Sequence, residues 1–388
     1  MIQTRKEVRL PSLFTANLML NAGAAFMWPL TTVYMNQTLG ESLTTSGTVL
    51  LFMSLLMIVG NYIGGIMFDR WSPYLAGLIG SGMSLAAIII LIFFHSWPIY
   101  AIMLFVVGFG DGISATVENS YAAAIKSTST RQVFNLMYIG INVGAVIGTL
   151  LVGYLFDLGI TLVFLVTSFC YIMLFLLMLT EFKVDVTPTK NTKENGATVA
   201  KANLRVIWLV CLMIFAIYAS YTLWESVLSV HMTNLHIPFR NYSLLWTLNG
   251  ILIVIGQPLS NRIFTKYKIS TQAGFGILIL ALSFFSLIFA SHYGAFVGVM
   301  VIVTLGEMIG FPAIPVWVDE LAKNGQKGKY QGMYNVALSL GRAMGPLVGG
   351  VMIDLFNYRI LFLTAGSAIL LTMCLALLAN SRLLKTNH

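Results

Sequence analysis

Charged residues are scarce in this 388-residue chain: Asp, Glu, Lys and Arg make up 9% of it, against about 25% in an ordinary soluble domain. A chain with so few charges cannot cover its surface with groups that favour water. Apolar residues make up 58% of the sequence, and no polar half offsets them, which excludes a soluble enzyme with a single anchor. The composition therefore predicts a polytopic membrane protein surrounded by the lipid bilayer.

Cysteine and the motifs of catalysis are equally scarce. Cys170, Cys211 and Cys374 lie far apart in apolar stretches, which excludes a disulfide framework or a cysteine metal cluster and favours small core residues. The chain lacks the G-x-x-x-x-G-K-[ST], H-E-x-x-H, C-x-x-C and G-x-S-x-G patterns. We therefore expect that the protein is neither an enzyme nor an ATP-driven pump. We also expect that it binds no cofactor, metal ion or nucleic acid, and that it is a monomer.

Long apolar stretches dominate what is present. Each is about 20 residues or longer, enough for a helix to cross a hydrocarbon core of ~30 Å. This pattern predicts an all-α membrane protein with 12 transmembrane helices. The stretches are 11–36, 44–68, 74–94, 98–124, 133–156, 159–180, 205–229, 241–260, 271–291, 295–318, 330–353 and 359–380.

The basic residues are distributed unevenly between the two ends of these spans. All 22 Lys and Arg residues except Arg240, Arg342 and Arg359 fall near the termini or in the connections that follow even-numbered spans. Cytoplasmic segments of membrane proteins carry such an excess of positive charge. We therefore expect a multi-pass protein of the plasma membrane with both termini in the cytoplasm.

The two halves of the chain repeat each other. In spans 5 and 11, glycines at 144, 148 and 153 and Asp157 match glycines at 341, 345 and 350 and Asp354 at a spacing of 197 residues. The spacing predicts two pseudo-symmetric halves of six helices, residues 1–182 and 204–388, joined by a cytoplasmic linker at 183–203, with a substrate cavity between the halves. Small residues in these spans are expected to let helices approach closely: Gly144, Gly148, Gly153, Gly345, Pro346 and Gly349.

Four acidic residues lie inside the spans: Asp111, Glu118, Glu225 and Glu307. A charge at the centre of a membrane helix costs ~2.5–3.5 kcal/mol, so such residues usually face a wet cavity or a partner. Asp111 and Glu307 correspond across the repeat, and Glu118 lies two turns beyond Asp111 on the same helix face. A buried carboxyl group can hold a proton or a cation, but not both. All four are candidate proton-coupling and substrate-binding residues. The alternative is a structural polar pair, in which Arg342 neutralises Glu307 or another acid.

Aromatic and amide side chains in the spans are candidates for the lining of the cavity. An apolar pocket with aromatic rings and one or two carboxylates suits a small, lipophilic, cationic substrate, and does not suit sugars or phosphates. The candidates are Trp28, Tyr138, Asn142, Tyr218, Tyr221 and Asn249.

The end of span 2 carries a family resemblance. Residues 65–70, GIMFDR, resemble the G-x-x-x-D-[RK]-x-G-[RK]-[RK] signature of the major facilitator superfamily, although Trp71 and the three residues after it depart from its second part. An aspartate there can pair with basic residues when the cytoplasmic side is closed. We therefore expect Asp69 and Arg70 to form a conformational latch. Span 5 resembles the antiporter motif of drug exporters, but Thr149 stands where proline is expected.

Several local runs resemble a narrower group, the LmrP-type multidrug/proton antiporters. These runs are residues 34–40, 230–232 and 304–307, with Pro312 beyond. The resemblance implies a proton and cation site at Glu307, an outer acidic site at Glu225 and a gating aspartate at Asp69. It breaks in span 5, where Met137 stands in place of that group's buried aspartate.

These features favour a proton-coupled secondary transporter, an antiporter that exports hydrophobic or cationic drug-like compounds by alternating access. An uptake symporter or a lipid flippase on the same scaffold is the alternative. A receptor or assembly factor without transport activity is disfavoured by the carboxylates inside the spans.

Overall fold

The computed structural model describes residues 7–128, 130–184, 201–264, 266–322 and 327–386. Within these ranges the chain forms helices joined by short connections, without a strand. In this described part of the chain, eleven helical spans are long and apolar enough to cross a membrane, and the N-terminal helix α1 is the remaining one of the fold. The all-α fold with 12 spans that the sequence predicts is confirmed.

The helices are numbered along the chain. The first six are α1 Leu10–Val33, α2 Leu43–Arg70, α3 Pro73–Phe93, α4 Ile99–Ala124, α5 Thr130–Leu155 and α6 Ile160–Glu181. The others are α7 Lys201–Glu225, α8 Val227–Asn234, α9 Phe239–Phe264, α10 Ile269–Leu287, α11 Tyr293–Gly310, α12 Ala313–Leu321, α13 Lys327–Leu355 and α14 Tyr358–Thr386.

Polar side chains at the helix starts explain several of these bounds. Ser72 precedes α3, and its hydroxyl accepts a hydrogen bond from the Leu75 N–H at 3.3 Å, while Pro73 occupies the first helical position. Asn357 does the same before α14, where its side-chain oxygen accepts from the Ile360 N–H at 3.0 Å. Such caps satisfy N–H groups that have no partner within the helix.

The helices pack into two units with the same internal pattern. Unit 1 comprises the described residues of Met1–Glu41, Thr48–Asn191 and Pro238–Thr247, and unit 2 those of Ser42–Gly47, Thr192–Ile237 and Leu248–His388. In unit 1, α1 packs on α5 and α6, and α3 packs on α4 and α6. In unit 2, α7 packs on α13 and α14, and α10 packs on α11 and α14. The packing therefore repeats helix for helix, as the sequence repeat predicts.

Glycine contacts fix the register of this repeat. A Cβ atom at Gly144 would lie 2.6 Å from the carbonyl oxygen of Leu18, and one at Gly341 would lie 2.6 Å from that of Phe215. Both the glycines and the residues that they face are 197 positions apart. Similar close approaches occur at the other glycines singled out by the sequence: Gly148 against Ala22, Gly345 against Ala219, Gly349 against Leu223 and Gly153 against Ser243. Pro346 lies within α13, with its carbonyl against Gly47.

The contact between α3 and α4 is likewise repeated by the contact between α10 and α11. A Cβ atom at Gly110 would lie 2.7 Å from the carbonyl oxygen of Gly80, and one at Gly306 would lie 2.8 Å from that of Gly276. Each contact is 196 residues from its counterpart. The residues that follow Gly110 and Gly306 therefore occupy equivalent backbone positions in the two units.

Three sequence expectations need correction or lie outside the described residues. The predicted spans 205–229 and 295–318 are each interrupted: α7 ends at Glu225 and α8 begins at Val227, and α11 ends at Gly310 while α12 begins at Ala313, directly after Pro312. Proline ends a helix because its ring cannot continue the hydrogen-bond ladder. Cys374 is exposed, so only Cys170 and Cys211 are buried. Most of the predicted linker, residues 185–200, lies outside the described residues.

Candidate functional site

Glu307 lies near the end of α11 and is held by two neighbouring helices. Its Oε2 atom accepts hydrogen bonds from the Asn249 Nδ2 group at 3.0 Å and from the Tyr221 hydroxyl at 3.2 Å. Asn249, on α9, also donates to the Thr304 hydroxyl at 3.0 Å. The Glu307 side chain is half-buried rather than enclosed. The carboxyl group is therefore oriented by neutral donors on a residue that keeps part of its surface exposed.

Three aromatic rings pack against one another beside this carboxyl group, and one of them, Tyr221, carries the hydroxyl that donates to it. The ring centroids of Tyr218 and Tyr221, one turn apart on α7, are 6.1 Å apart. Phe311 follows the last residue of α11, and its ring lies 5.4 Å from that of Tyr218 and 5.6 Å from that of Tyr221. The faces of such rings carry partial negative charge and attract cations. Unit 2 thus combines one carboxylate with three aromatic rings, which we call the Glu307 cluster: Glu307, Asn249, Tyr218, Tyr221 and Phe311.

Arg342 pairs with Glu225. One guanidinium nitrogen of Arg342, on α13, donates to the two carboxylate oxygens of Glu225 at 3.0 and 3.3 Å. The side chain of Arg342 is 42% exposed and that of Glu225 is 17% exposed. Of the two possibilities left by the sequence, neutralisation of Glu307 or of another acid, the structure shows the second. The carboxyl group of Glu307 has no such ion pair with a described residue.

Asp111, the residue of unit 1 that corresponds to Glu307, is enclosed. The Ser84 hydroxyl on α3 donates to Asp111 Oδ1 at 2.7 Å, and the Tyr171 hydroxyl on α6 donates to Oδ2 at 2.9 Å. Only 2% of Asp111 is exposed. Both carboxyl oxygens therefore have partners, and the carboxyl group joins α3, α4 and α6.

Glu118 lies on the same helix as Asp111 but contacts a different one. It is fully buried, and its Oε2 atom accepts a hydrogen bond from Asn17 Nδ2 on α1 at 3.2 Å. Although the spacing of seven residues places Asp111 and Glu118 on one face of α4, their partners lie on α3 and α6 in one case and on α1 in the other.

The remaining candidates are placed as follows. Asp69 and Arg70 are exposed in the last turn of α2, and neither forms an ion pair with another described residue. Trp28 and Asn142 are half-buried and have further contacts. The side chain of Tyr138 lies outside the described residues. Among the described residues, no group of three or more His, Cys, Asp or Glu side chains could hold a metal ion.

The sequence reasoning missed four residues of these clusters. Phe311 joins the Glu307 cluster, Ser84 and Tyr171 bind Asp111, and Asn17 binds Glu118. A signal was available for three of them, because polar side chains inside apolar spans usually have a buried partner. For Phe311 the sequence offers no comparable signal, since aromatic residues are frequent throughout the chain.

Comparison with known proteins identifies the family. The model of the Major Facilitator Superfamily matches residues 13–346 and again 210–387. The uncharacterized MFS-type transporter YttB of Bacillus subtilis is 33% identical over 93% of this chain and 92% of its own length. Multidrug resistance protein 1 of the same organism is 25% identical over 98% of both chains. A crystal structure of the peptide transporter POT superposes with a TM-score of 0.82 at 15% identity, covering 97% of this chain and 96% of the other.

Proposed function

The chain belongs to the Major Facilitator Superfamily, whose members are transporters and not enzymes, and we propose that it is a proton-coupled antiporter that exports hydrophobic organic cations. The superfamily membership makes it a multi-pass membrane protein and a transporter of small molecules. Proton coupling, antiport and the cationic substrate are our proposal. The name of the multidrug relative at 25% identity is consistent with it.

The observation that carries the proposal is the composition of the Glu307 cluster. One carboxyl group accepts a hydrogen bond from a hydroxyl of a cluster of three aromatic rings, at Tyr221, and Arg342 is paired with Glu225 instead. A carboxylate with a permanent ion pair would have no need of a cation from solution. Among the described residues, the neutral donors Asn249 and Tyr221 hold the Glu307 side chain, and they orient it without supplying positive charge.

This arrangement supports an exchange mechanism. An ionised carboxylate inside a membrane span is costly, so a positive charge that reaches it is favoured. A proton or an organic cation can supply that charge, and the two compete for one group. The aromatic rings favour the organic cation through apolar contact and cation–π attraction. In the proposed cycle, binding of a cation displaces the proton, and a proton returning down its gradient displaces the cation on the other side.

We assign different roles to the other acids. Glu225 keeps Arg342 in place beside the cluster, and Asp111 joins three helices of unit 1. Asp69 and Arg70 remain the proposed conformational latch, on the side of the spans where the Lys and Arg residues are concentrated. The orientation with both termini in the cytoplasm also remains a proposal, supported by the position of the basic residues. A one-for-one exchange of a proton for a monovalent cation moves no net charge, so the proton concentration gradient drives it; the membrane potential adds ~2.3 kcal/mol per 100 mV only for each further charge that is moved.

Ethidium transport into inside-out membrane vesicles tests the proposal. With an acidic interior, the wild-type protein should accumulate ethidium, and collapse of the proton gradient should stop the accumulation. Glu307→Gln should abolish it, because the amide cannot exchange a proton. Glu320→Gln is the matched control, since it makes the same change at an exposed position on α12 and should leave transport intact.

The same vesicles distinguish the alternatives. Release of preloaded ethidium driven by the acidic interior would indicate uptake symport. Movement of a fluorescent phospholipid between leaflets, without ethidium flux, would indicate a flippase. Accumulation that is unchanged in Glu307→Gln would remove Glu307 from the mechanism.

A further inference from the structure

The contact between Glu118 on α4 and Asn17 on α1 leaves two oxygen atoms unpaired. Asn17 Nδ2 donates to Glu118 Oε2 at 3.2 Å, but Glu118 Oε1 and Asn17 Oδ1 are both fully buried and have no hydrogen-bond partner among the described residues. If the carboxyl group is ionised, neither atom carries a hydrogen, so both can act only as hydrogen-bond acceptors. Buried polar atoms are nearly always paired, so two unpaired acceptors in one contact require an explanation.

Among the described residues, this one amide is the group that forms a hydrogen bond or ion pair with the Glu118 carboxyl group. Glu118 is 0% exposed and Asn17 is 5% exposed. No Lys or Arg side chain of the described residues pairs with Glu118. The ionisable group that acts on it electrostatically is Asp111, another acid on the same helix. An ionised carboxylate held by a single neutral donor in such a place is strongly disfavoured.

A third helix encloses the pair. A Cβ atom at Gly140 on α5 would lie 2.8 Å from Asn17 Oδ1. The backbone of α5 therefore packs directly against the amide oxygen, and a larger residue at position 140 would push that oxygen away. Such a close approach fixes the amide of Asn17 while Nδ2 remains directed at Glu118.

We propose that Glu118 binds a proton and that Asn17 is the residue that holds it there. A proton on Oε1 turns that atom into a donor, which bonds to Asn17 Oδ1, while Asn17 Nδ2 continues to donate to Oε2. The carboxyl group and the amide then form a closed pair with two hydrogen bonds. One proton, taken from water, removes the buried charge and satisfies both unpaired oxygens. Asp111 differs, because hydroxyl donors already satisfy its two oxygens.

This proton site is separate from the exchange proposed at Glu307. It lies within unit 1 and needs no substrate, so it can be measured in the resting protein. If Glu118 is found to be ionised, the ethidium assays of Glu307 are unaffected. If the ethidium assays fail, the proposed proton site at Glu118 is unaffected.

Infrared spectroscopy of the purified full-length protein in lipid nanodiscs at neutral pH tests the proposal. The wild-type spectrum should contain the carbonyl stretch of a protonated carboxyl group that is missing in Glu118→Gln. Glu320→Gln, which removes an exposed acid, should remove carboxylate bands only. If Glu118→Gln also removes only carboxylate bands, Glu118 is ionised and the proposal is wrong.

Two further variants test the part played by Asn17. Gly140→Ala retains both polar residues but displaces the amide oxygen, so it should shift the frequency of the band assigned to Glu118. Asn17→Ala should shift it further, because both hydrogen bonds are lost. A band whose frequency is the same in the wild type and in both variants would show that Asn17 does not hold the proton.

Thermal unfolding gives an independent readout. Glu118→Gln should keep a Tm close to that of the wild type, because its amide N–H replaces the carboxyl O–H as a donor to Asn17. Glu118→Ala should lower the Tm clearly. If the Tm of Glu118→Gln falls as far as that of Glu118→Ala, the closed pair of hydrogen bonds is contradicted.

Discussion

Asp111 and Glu307 occupy the same backbone position in the two units and have different surroundings. Each follows a glycine that packs against the preceding long helix, where an added Cβ atom would lie 2.7 Å (Gly110) or 2.8 Å (Gly306) from the facing carbonyl oxygen. Asp111 is 2% exposed, and two hydroxyls bind its two oxygens. Glu307 is half-buried, and both of its described hydrogen bonds reach Oε2.

The difference comes from neighbouring residues rather than from the helix that carries the acid. Unit 2 has Tyr221 on α7, and the equivalent position in unit 1, 197 residues earlier, is Ala24 on α1. Unit 1 has Ser84 on α3, and unit 2 has Leu280 at the corresponding position. The donors of unit 1 thus lie on α3 and α6, and those of unit 2 on α7 and α9. The repeat therefore preserves the position of an acid without preserving its surroundings.

The largest expected effect concerns transport. Asp111→Asn and Glu307→Gln make the same chemical change at equivalent positions. We expect Glu307→Gln to abolish proton-driven ethidium accumulation and Asp111→Asn to retain most of it, because Asp111 is enclosed whereas Glu307 is partly exposed. The measurement is the initial rate in inside-out vesicles, normalised to the amount of protein. Equal loss in both variants would show that the two acids act together.

The second prediction concerns stability, for which we expect the larger effect at Asp111 and the smaller at Glu307. Asp111→Ala leaves the Tyr171 hydroxyl without its acceptor, at a cost of about 1–3 kcal/mol, whereas the Ser84 hydroxyl can still donate to the Val107 carbonyl oxygen at 3.4 Å. Glu307→Ala should cost less, because its site is partly accessible and Asn249 keeps its bond to Thr304. Unfolding in detergent, followed by circular dichroism, measures both variants. A larger loss for Glu307→Ala would contradict the structural role of Asp111.

The third prediction concerns the aromatic rings, which unit 2 brings to its acid. Phe311→Leu keeps apolar volume but removes one ring, and the loss of a cation–π contact is about 0.5–2 kcal/mol, or roughly twofold to thirtyfold in Kd. Fluorescence titration with ethidium measures it. Phe289→Leu is the control, since Phe289 is 80% exposed on the surface. An unchanged Kd in Phe311→Leu would exclude this ring from the binding site.

The smallest expected effect concerns the ion pair of Arg342 and Glu225. Because the side chain of Arg342 is 42% exposed, the coupling between the two residues should be only about 0.2–1 kcal/mol. A double-mutant cycle with Glu225→Gln and Arg342→Gln, read by unfolding in detergent, measures it. The corresponding cycle of Arg342 with Glu307 should give a smaller coupling. A larger value there would mean that Arg342 neutralises the exchange site.

Much of this fold could be predicted from the sequence, because the apolar runs, the glycine spacing and the acids inside spans are all local features. The repeat spacing also predicted that Asp111 and Glu307 correspond, and the contacts of Gly110 and Gly306 confirm it. The partners of each acid could not be predicted, since they depend on how neighbouring helices are rotated. The break at Pro312, which brings Phe311 to the cluster, is visible in the sequence only as a proline.

Proton release on cation binding tests the exchange at Glu307 most directly. Purified protein in a weakly buffered detergent solution is titrated with ethidium, and a pH-sensitive dye records the protons released per bound cation. We expect the wild type to release protons as it binds ethidium and to bind more tightly as the pH rises. In Glu307→Gln, any remaining binding should release none and should not depend on pH. The same proton release per bound cation in that variant would contradict the exchange at Glu307.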